Sequence, residues 1–176
     1  MIFVSLDSLK LRLGIPGHPS SCETRLMWTD EAGIIGIGYE GQQVEDLVAG
    51  LKKWNVTVLV DVRLNPISRK RGFSRKGLTE ALALQGVDYL HRPALGNPKE
   101  NRAAYSEDGT EAGDDARLKF AEVLTSEEAQ DSIDELVKLA SKTHVAVLCY
   151  EASELHCHRK QVLDVIRKRL DQGVSV

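Results

Sequence analysis

The feature that most constrains the fold of this chain is a continuous run of β-branched and apolar residues at positions 57–62, Thr-Val-Leu-Val-Asp-Val. A strand with one exposed face alternates apolar and polar residues, whereas a parallel strand buried on both faces reads as a nearly unbroken apolar run. The run therefore predicts a parallel strand that is covered on both sides. Three more segments are predicted as strands, at residues 34–38, 87–91 and 145–149.

Helical patterns separate these strands. From Val44, apolar residues recur at i, i+3, i+4 and i+7, which is the spacing of one helix face. Ser74 is predicted to cap a second helix, and Thr125 with Glu128 fits a capping box at the start of another. A last amphipathic helix is predicted to begin through Cys157-His158-Arg159.

This alternation predicts the α/β fold class. We expect a single three-layer domain over residues 33–176, with a mostly parallel sheet of about four to five strands and helices on both faces. Residues 1–32 are predicted to be a weakly structured N-terminal extension, because Gly, Pro and Ser concentrate at residues 14–21 and interrupt regular structure. The long connection at residues 93–113 is predicted to be either functional or mobile.

Composition narrows the class of protein. The formal net charge of −3 over 176 residues gives no overall sign of a nucleic-acid-binding protein. The chain has three cysteines, an odd number, and no recognisable secretory segment, so we expect reduced thiols and a cytoplasmic location. No apolar stretch approaches the ~20 residues that a membrane helix needs, so no membrane partner is expected.

The charges are distributed unevenly along the chain. Basic residues dominate residues 61–76, whereas acidic residues dominate residues 107–135. A basic loop beside an acidic stretch produces a one-sided field that suits an anionic ligand. The alternative is that both segments are simply solvated surface.

Polar side chains mark the ends of all four predicted strands. Tyr39 follows the first strand, Asp61 and Arg63 end the second, His91 ends the third, and Cys149 ends the fourth. Ligands of open parallel sheets bind beyond the carboxyl ends of the strands, so these residues predict one composite site.

The residue types at this edge favour a phosphate-bearing ligand. Arg63, His158 and Arg159 suit phosphate oxygens, and the basic loop at residues 68–72 suits a polyanion such as nucleic acid. In this hypothesis His158 is a proton donor or oxyanion partner, and Asp61 or Glu151 orients the reacting groups. The alternative for Arg63 is a structural ion pair with Asp61 or Glu151.

Several segments of the chain together resemble the family called domain of unknown function 488. They are residues 36–39, 58–63, 72–74, 89–91, 95–97, 148–151 and 157–159, within a region of roughly residues 33–170. The resemblance implies an α/β fold and a polar site built from these residues, and it implies no particular reaction. The predicted ligand-binding residues are Tyr39, Arg63, Arg71, Ser74, His91, Asn97, Cys157 and Arg159, and the predicted catalytic residues are His158, Asp61, Glu151 and Cys149.

Other interpretations stay open. A strand-end Cys149 also resembles the nucleophile of rhodanese-like and cysteine-phosphatase domains, so an alternative is a sulfur- or phosphoryl-transfer enzyme that uses Cys149. Against this alternative, Leu155 occupies the place of their nearby arginine. Residues 36–41 match the dinucleotide pattern G-x-G-x-x-G, although the preceding strand would then be very short. A non-catalytic binding module is the remaining alternative.

A metal site is the last interpretation. Cys149, His156, Cys157 and His158 have the ligand types of zinc. Adjacent residues on a helix point about 100° apart, so the last three cannot all face one ion. No metal or other cofactor is therefore predicted.

Overall fold

The computed structural model describes residues 28–173, and in this part of the chain four parallel strands form one sheet with helices on both faces. The strands are β1 (Gly33–Gly38), β2 (Val58–Asp61), β3 (Asp88–His91) and β4 (His144–Cys149). The helices are α1 (Val44–Lys53), α2 (Arg75–Ala83), α3 (Arg102–Tyr105), α4 (Glu111–Val123), α5 (Glu127–Ala140) and α6 (Arg159–Asp171). The predicted α/β fold with a parallel sheet is confirmed.

The strand order is β1-β4-β2-β3, so the last strand of the chain lies between the first two. All six residues of β4 are buried, and its Cys149 is level with Gly38 of β1. On the other side of β4, Leu148 is level with Asp61 of β2. The unbroken apolar runs of β2 and β4 are thus explained by neighbouring strands on both edges and helices on both faces.

Each face of the sheet has its own apolar core. Val60 and Val147 pack with α4, α5 and α6 on one face, which we call the α4–α6 face. Leu59 and Leu148 pack with α1 and α2 on the opposite face, the α1–α2 face. Each buried aliphatic side chain contributes roughly 1.5–3 kcal/mol relative to an exposed one. The connections from β1 to β2 and from β2 to β3 thus cross the α1–α2 face, whereas the connection from β3 to β4 crosses the α4–α6 face.

Trp28, which lies within the predicted extension at residues 1–32, contacts the domain. Trp28 forms an isolated bridge with Gly33, stacks on His144 with ring centroids 4.3 Å apart, and meets Trp54 edge-on at 5.9 Å. Residues 28–32 therefore pack on the domain. Residues 1–27 of the predicted extension at residues 1–32 lie outside the described residues, so the extension stays a prediction.

Two local predictions differ from the structure, the N-cap of α5 and the start of α6. The N-cap of α5 is Ser126, whose Oγ accepts from the Ala129 amide, whereas the Thr125 hydroxyl donates to the Glu122 carbonyl. Residues 93–113 contain two short 3-10 turns, α3 and the start of α4. Helix α6 begins only at Arg159, so Cys157 and His158 lie in the turn before it.

None of the helices in the described part of the chain is long and apolar enough to span a membrane.

Candidate functional site

A cavity of about 520 Å³ opens at the carboxyl ends of β1, β2 and β4. Strand β4 is followed by a helix on the α4–α6 face, whereas β1 and β2 are followed by helices on the α1–α2 face. Connections that leave neighbouring strands in opposite directions open a crevice between them, which is the usual ligand position in such sheets. The lining residues are Tyr39, Arg63, Leu64, Asn65, Ile67, Ser68, Arg69, Lys70, Asn97, Arg102, Tyr105, Cys149, Tyr150, Glu151, His156 and His158.

One wall of the cavity rests on an ion pair between Asp61 and Arg63. Both side chains are buried, and Nε and Nη2 of Arg63 donate to the two carboxylate oxygens. Tyr89 donates its hydroxyl to the same carboxylate at 2.7 Å, and Arg63 Nη1 donates to the Tyr39 hydroxyl at 2.8 Å. The alternative of a structural ion pair between Arg63 and Asp61 is therefore what the structure shows.

The surroundings of Asp61 raise the pKa of Arg63 and of Tyr89. Burial lowers the pKa of Arg63, but the Asp61 carboxylate and the Tyr39 hydroxyl raise it, and the net effect is a pKa above the usual value. Burial and the hydrogen bond to Asp61 raise the pKa of Tyr89. Arg63 is thus a fixed cation whose donors are largely occupied by protein atoms.

The mouth of the cavity carries further cations. Arg69 and Arg102 are exposed, and Arg102 uses its Nε to donate to the Asn97 carbonyl at 3.0 Å. Lys70 is half-buried, with Nζ 3.2 Å from the Tyr39 carbonyl and 5.3 Å from the Phe73 ring centre. Among the described residues that line the cavity, Glu151 is the only carboxylate. The cavity therefore has a positive mouth although the chain as a whole is slightly acidic.

Aromatic rings line the same opening. Tyr39 is buried and stacks on Phe73 with ring centroids 4.3 Å apart. Tyr150 meets Tyr39 edge-on at 5.3 Å and leaves 47% of its surface exposed. An exposed ring that is held at its edge by a buried one presents a face on which a planar ligand can stack.

Four side chains from the end of β4 and the loop after it form a cluster at the inner end of the cavity, and three of them, Cys149, Glu151 and His158, line it. One ligand atom each from Cys149, Glu151, Cys157 and His158 lies within 4.8 Å of the other three. Cys149 Sγ lies 3.8 Å from Nδ1 of His158, and Nε2 of His158 lies 3.3 Å from the Val62 carbonyl. We call this group the Cys-Glu-Cys-His cluster.

The two thiols of this cluster differ in acidity. The hydrogen bond with Cys157 and burial raise the pKa of Cys149 well above its usual value. Burial also acts to raise the pKa of Cys157, but hydrogen bonds with Cys149 and His158 outweigh it and lower the pKa to about 6. The pair therefore holds its negative charge on Cys157, and these pKa directions do not favour Cys149 as a thiolate nucleophile.

The loop between β4 and α6 is held in place by Arg159. This guanidinium is buried and donates to the backbone carbonyls of Glu151 and Ala152. Gly38 of β1 is also required, because a Cβ there would overlap the Glu151 carbonyl. These contacts fold the loop back over the sheet edge and bring residues 149–158 together.

The structure separates the predicted site residues into three groups: those that line the cavity, those behind the lining, and two that lie elsewhere. Those that line the cavity are Tyr39, Arg63, Asn97, Cys149, Glu151 and His158. Asp61, His91, Cys157 and Arg159 lie behind these residues, and Nε2 of His91 is 2.8 Å from the Arg63 carbonyl. Ser74 caps α2 by accepting from the Gly77 amide, and Arg71 is exposed outside the lining. That each of these residues binds ligand or takes part in catalysis stays a prediction.

Tyr150, Arg102 and Tyr105 are among the lining residues that were not predicted from the sequence. Tyr150 directly follows the strand-end Cys149, so its position at the sheet edge was available from the sequence. Arg102 and Tyr105 belong to α3, and no strand end or apolar pattern places that helix beside the sheet. Only the tertiary packing of residues 93–113 brings them to the cavity.

The fold and the cavity together define the class of protein: a doubly wound α/β domain with a polar site at the carboxyl edge of its parallel sheet. The chain belongs to the family described as Domain of unknown function DUF488, whose sequence model matches residues 43–166. Comparison with curated proteins gave no match, and neither did comparison with solved structures.

Proposed function

We propose that the cavity binds a phosphate-bearing ligand, either a nucleotide or a single-stranded nucleic acid. The observation that carries this proposal is the charge of the lining, in which Arg63, Arg69, Lys70 and Arg102 stand against the single carboxylate of Glu151 among the described residues. A cleft lined by one sign of charge concentrates ligands of the opposite sign.

The phosphate contacts are assigned to the mouth of the cavity. Arg69 and Arg102 are exposed and retain guanidinium donors, whereas the donors of Arg63 are bound to Asp61, Tyr39 and the Phe73 carbonyl. Guanidinium groups bind phosphate oxygens in bidentate geometry, and such charge-assisted bonds are among the stronger hydrogen bonds. Arg63 accordingly stabilises the wall of the cavity and adds to the positive potential inside it.

The base is assigned to Tyr150. Its ring is half-exposed, lines the cavity and is braced by Tyr39. Stacking of a base on an aromatic side chain contributes about 1–3 kcal/mol and works for every base. A ligand that carries both a phosphate and a base therefore uses the cationic mouth and the aromatic wall together.

Direct binding measurements with two probes test the proposal. A fluorescent nucleoside triphosphate and a labelled single-stranded oligonucleotide are titrated into the chain, into Arg69→Glu and into Arg102→Glu. We expect at least one probe to bind and each variant to weaken that binding by roughly tenfold or more, since charge reversal replaces attraction with repulsion. For a single-stranded probe, log K should fall linearly with log salt, and the slope should decrease by about 0.7 for each phosphate contact removed.

Lys76→Glu is the matched control. Lys76 is an exposed cation of the basic segment at residues 61–76, as Arg69 is, but it does not line the cavity. This variant should bind like the unmodified chain. The proposal is overturned if neither probe binds, or if Arg69→Glu and Arg102→Glu bind as tightly as the control. Tighter binding of the triphosphate identifies a nucleotide site, and tighter binding of the oligonucleotide identifies a nucleic-acid site.

A further inference from the structure

The Cys-Glu-Cys-His cluster contains more metal-ligand chemistry than the binding of an anion requires. Two thiols, a carboxylate and an imidazole converge from only ten residues of chain, and their ligand atoms all lie within 4.8 Å of one another. In a tetrahedral zinc site the ligand atoms lie about 3.3–3.8 Å apart, given bonds of about 2.3 Å to sulfur and 2.0 Å to nitrogen. The Cys149 Sγ to His158 Nδ1 distance of 3.8 Å already matches this separation.

His158 has the orientation of a zinc ligand. Its Nε2 lies 3.3 Å from the Val62 carbonyl, to which an Nε2–H group donates. Nδ1 is then left with a lone pair, and Cys149 Sγ lies 3.8 Å from Nδ1 and 4.0 Å from Nε2. A metal-bound histidine typically donates its other ring nitrogen to a carbonyl or carboxylate, which fixes the tautomer and the ring. The edge-on packing of the ring against Phe120, with centroids 5.2 Å apart, holds it further in place.

Glu151 supplies a second and independent observation. Its Oε2 is buried and accepts no hydrogen bond from a nitrogen or oxygen donor among the described residues, and its near partners are the thiols of Cys149 and Cys157. A buried charge is costly unless it is paired or coordinates a metal. The Arg159 guanidinium nearby does not supply the missing partner, because it donates to the backbone carbonyls of Glu151 and Ala152.

The objection from sequence spacing does not apply to this set. It assumed that Cys157 and His158 are consecutive residues of a helix, but α6 begins at Arg159 and both lie in the preceding turn. Their side chains therefore reach the same point. His156, which belonged to the sequence-based set, is exposed and stands outside the cluster, and Glu151 takes its place.

We propose that Cys149, Glu151, Cys157 and His158 bind one Zn²⁺ ion in a tetrahedral site that fastens the loop after β4 to the sheet edge. Four protein ligands and the burial of both thiols are features of a structural site. The ion holds the inner wall of the cavity and neutralises Glu151. The site assigns His158 and Glu151 to the metal, so neither serves as a free acid or base. It does not depend on the proposed ligand.

Metal content and cobalt substitution test the site on the full chain. The chain is stripped of metal with a chelator, reloaded with Zn²⁺ and passed through a desalting column in metal-free buffer. The zinc that it retains is then measured by mass spectrometry. We expect about one equivalent of retained zinc and a higher midpoint of thermal unfolding than in the stripped chain. Co²⁺ in place of Zn²⁺ should give the near-ultraviolet charge-transfer band of thiolate ligation.

Variants locate the ion. Cys149→Ser and Cys157→Ser should each abolish the cobalt charge-transfer band or reduce it by about half. Glu151→Gln, which preserves the shape of the loop, should lower zinc affinity by at least the roughly 10–100-fold that loss of an outer partner costs. His156→Ala is the matched control, an exposed histidine of the same loop, and it should retain zinc fully.

The proposal is overturned if the unmodified, reduced chain retains no zinc and shows no cobalt–thiolate band. It is also overturned if His156→Ala loses the metal as Glu151→Gln does, or if Glu151→Gln binds zinc as tightly as the unmodified chain. These readouts need no phosphate ligand, so their failure is distinguishable from failure of the proposed function.

Discussion

At the scale of single residues, Asp61 anchors the wall of the cavity. Its fully buried carboxylate accepts from the backbone amide, Nε and Nη2 of Arg63 and from the hydroxyl of Tyr89. The net gain from such a pair is small because both charges lose water, but removing one partner leaves the other buried and unpaired. The stability of the wall therefore depends on keeping both charges.

Asp61→Asn should destabilise the chain by about 3–5 kcal/mol, because it leaves the Arg63 guanidinium buried without a counterion. The free energy of unfolding in urea measures the change. Asp88→Asn is the control, since Asp88 is exposed on the neighbouring strand β3, and surface substitutions stay within about 0.5 kcal/mol. Equal stability of the two variants would contradict the account of the wall.

At the scale of elements, the carboxyl end of β4 and the loop that follows it decide the geometry of the site. The loop passes so close to β1 that only glycine fits at position 38, since a Cβ would overlap the Glu151 carbonyl. The same loop carries Glu151 and Cys157 and is tied down by Arg159. Close approach of two backbones is thus a condition for assembling the cluster.

Gly38→Ala should destabilise the chain by about 1–3 kcal/mol, the usual cost of overpacking, and should shift the loop. Gly50→Ala is the matched control, because a Cβ at this position of α1 meets no atom within 4 Å. It should instead stabilise the chain by roughly 0.5–1 kcal/mol, since alanine favours a helix interior. Thermal unfolding compares the two, and a Gly38→Ala variant as stable as the unmodified chain would contradict the close approach.

The elements also show what could be predicted from the sequence. Strands β2 and β4 were predictable because continuous apolar runs report burial on both faces. Helix α4 was not predicted, because its buried face consists of Gly113, Ala116 and Phe120 while Leu118 is 66% exposed, so no clear apolar stripe marks it. The N-cap of α5 was assigned one residue early, because Thr125 and Ser126 have equivalent side-chain chemistry and only geometry distinguishes them.

The candidate site was predictable in its place at the sheet edge, but not in the face on which each side chain lies. The strand-end rule placed Tyr39, Arg63 and Cys149 at one edge of the sheet, and all three line the cavity. The rule does not say which face a side chain takes, and Asp61 lies on the α1–α2 face whereas Cys149 lies on the α4–α6 face. The Cys-Glu-Cys-His cluster was missed because the start of α6 was predicted two residues too early.

At the scale of the whole molecule, topology produces the site. With β4 inserted between β1 and β2, the loops that follow these strands diverge and leave the cavity between them. The basic segment after β2 and helix α3 then bring Arg69, Lys70 and Arg102 to its mouth. A net charge of −3 conceals this local excess of positive charge, because the local electrostatic potential depends on where the charges lie and not on their sum.

The most direct test of the central claim is an amide NMR titration of the isotope-labelled chain with a nucleoside triphosphate and, separately, with a short single-stranded oligonucleotide. We predict saturable shifts confined to the segments that surround the cavity, at residues 39, 63–70, 97–105 and 149–158. The absence of saturable shifts with both ligands, or saturable shifts confined to a different surface, would contradict a phosphate-binding site at this edge of the sheet.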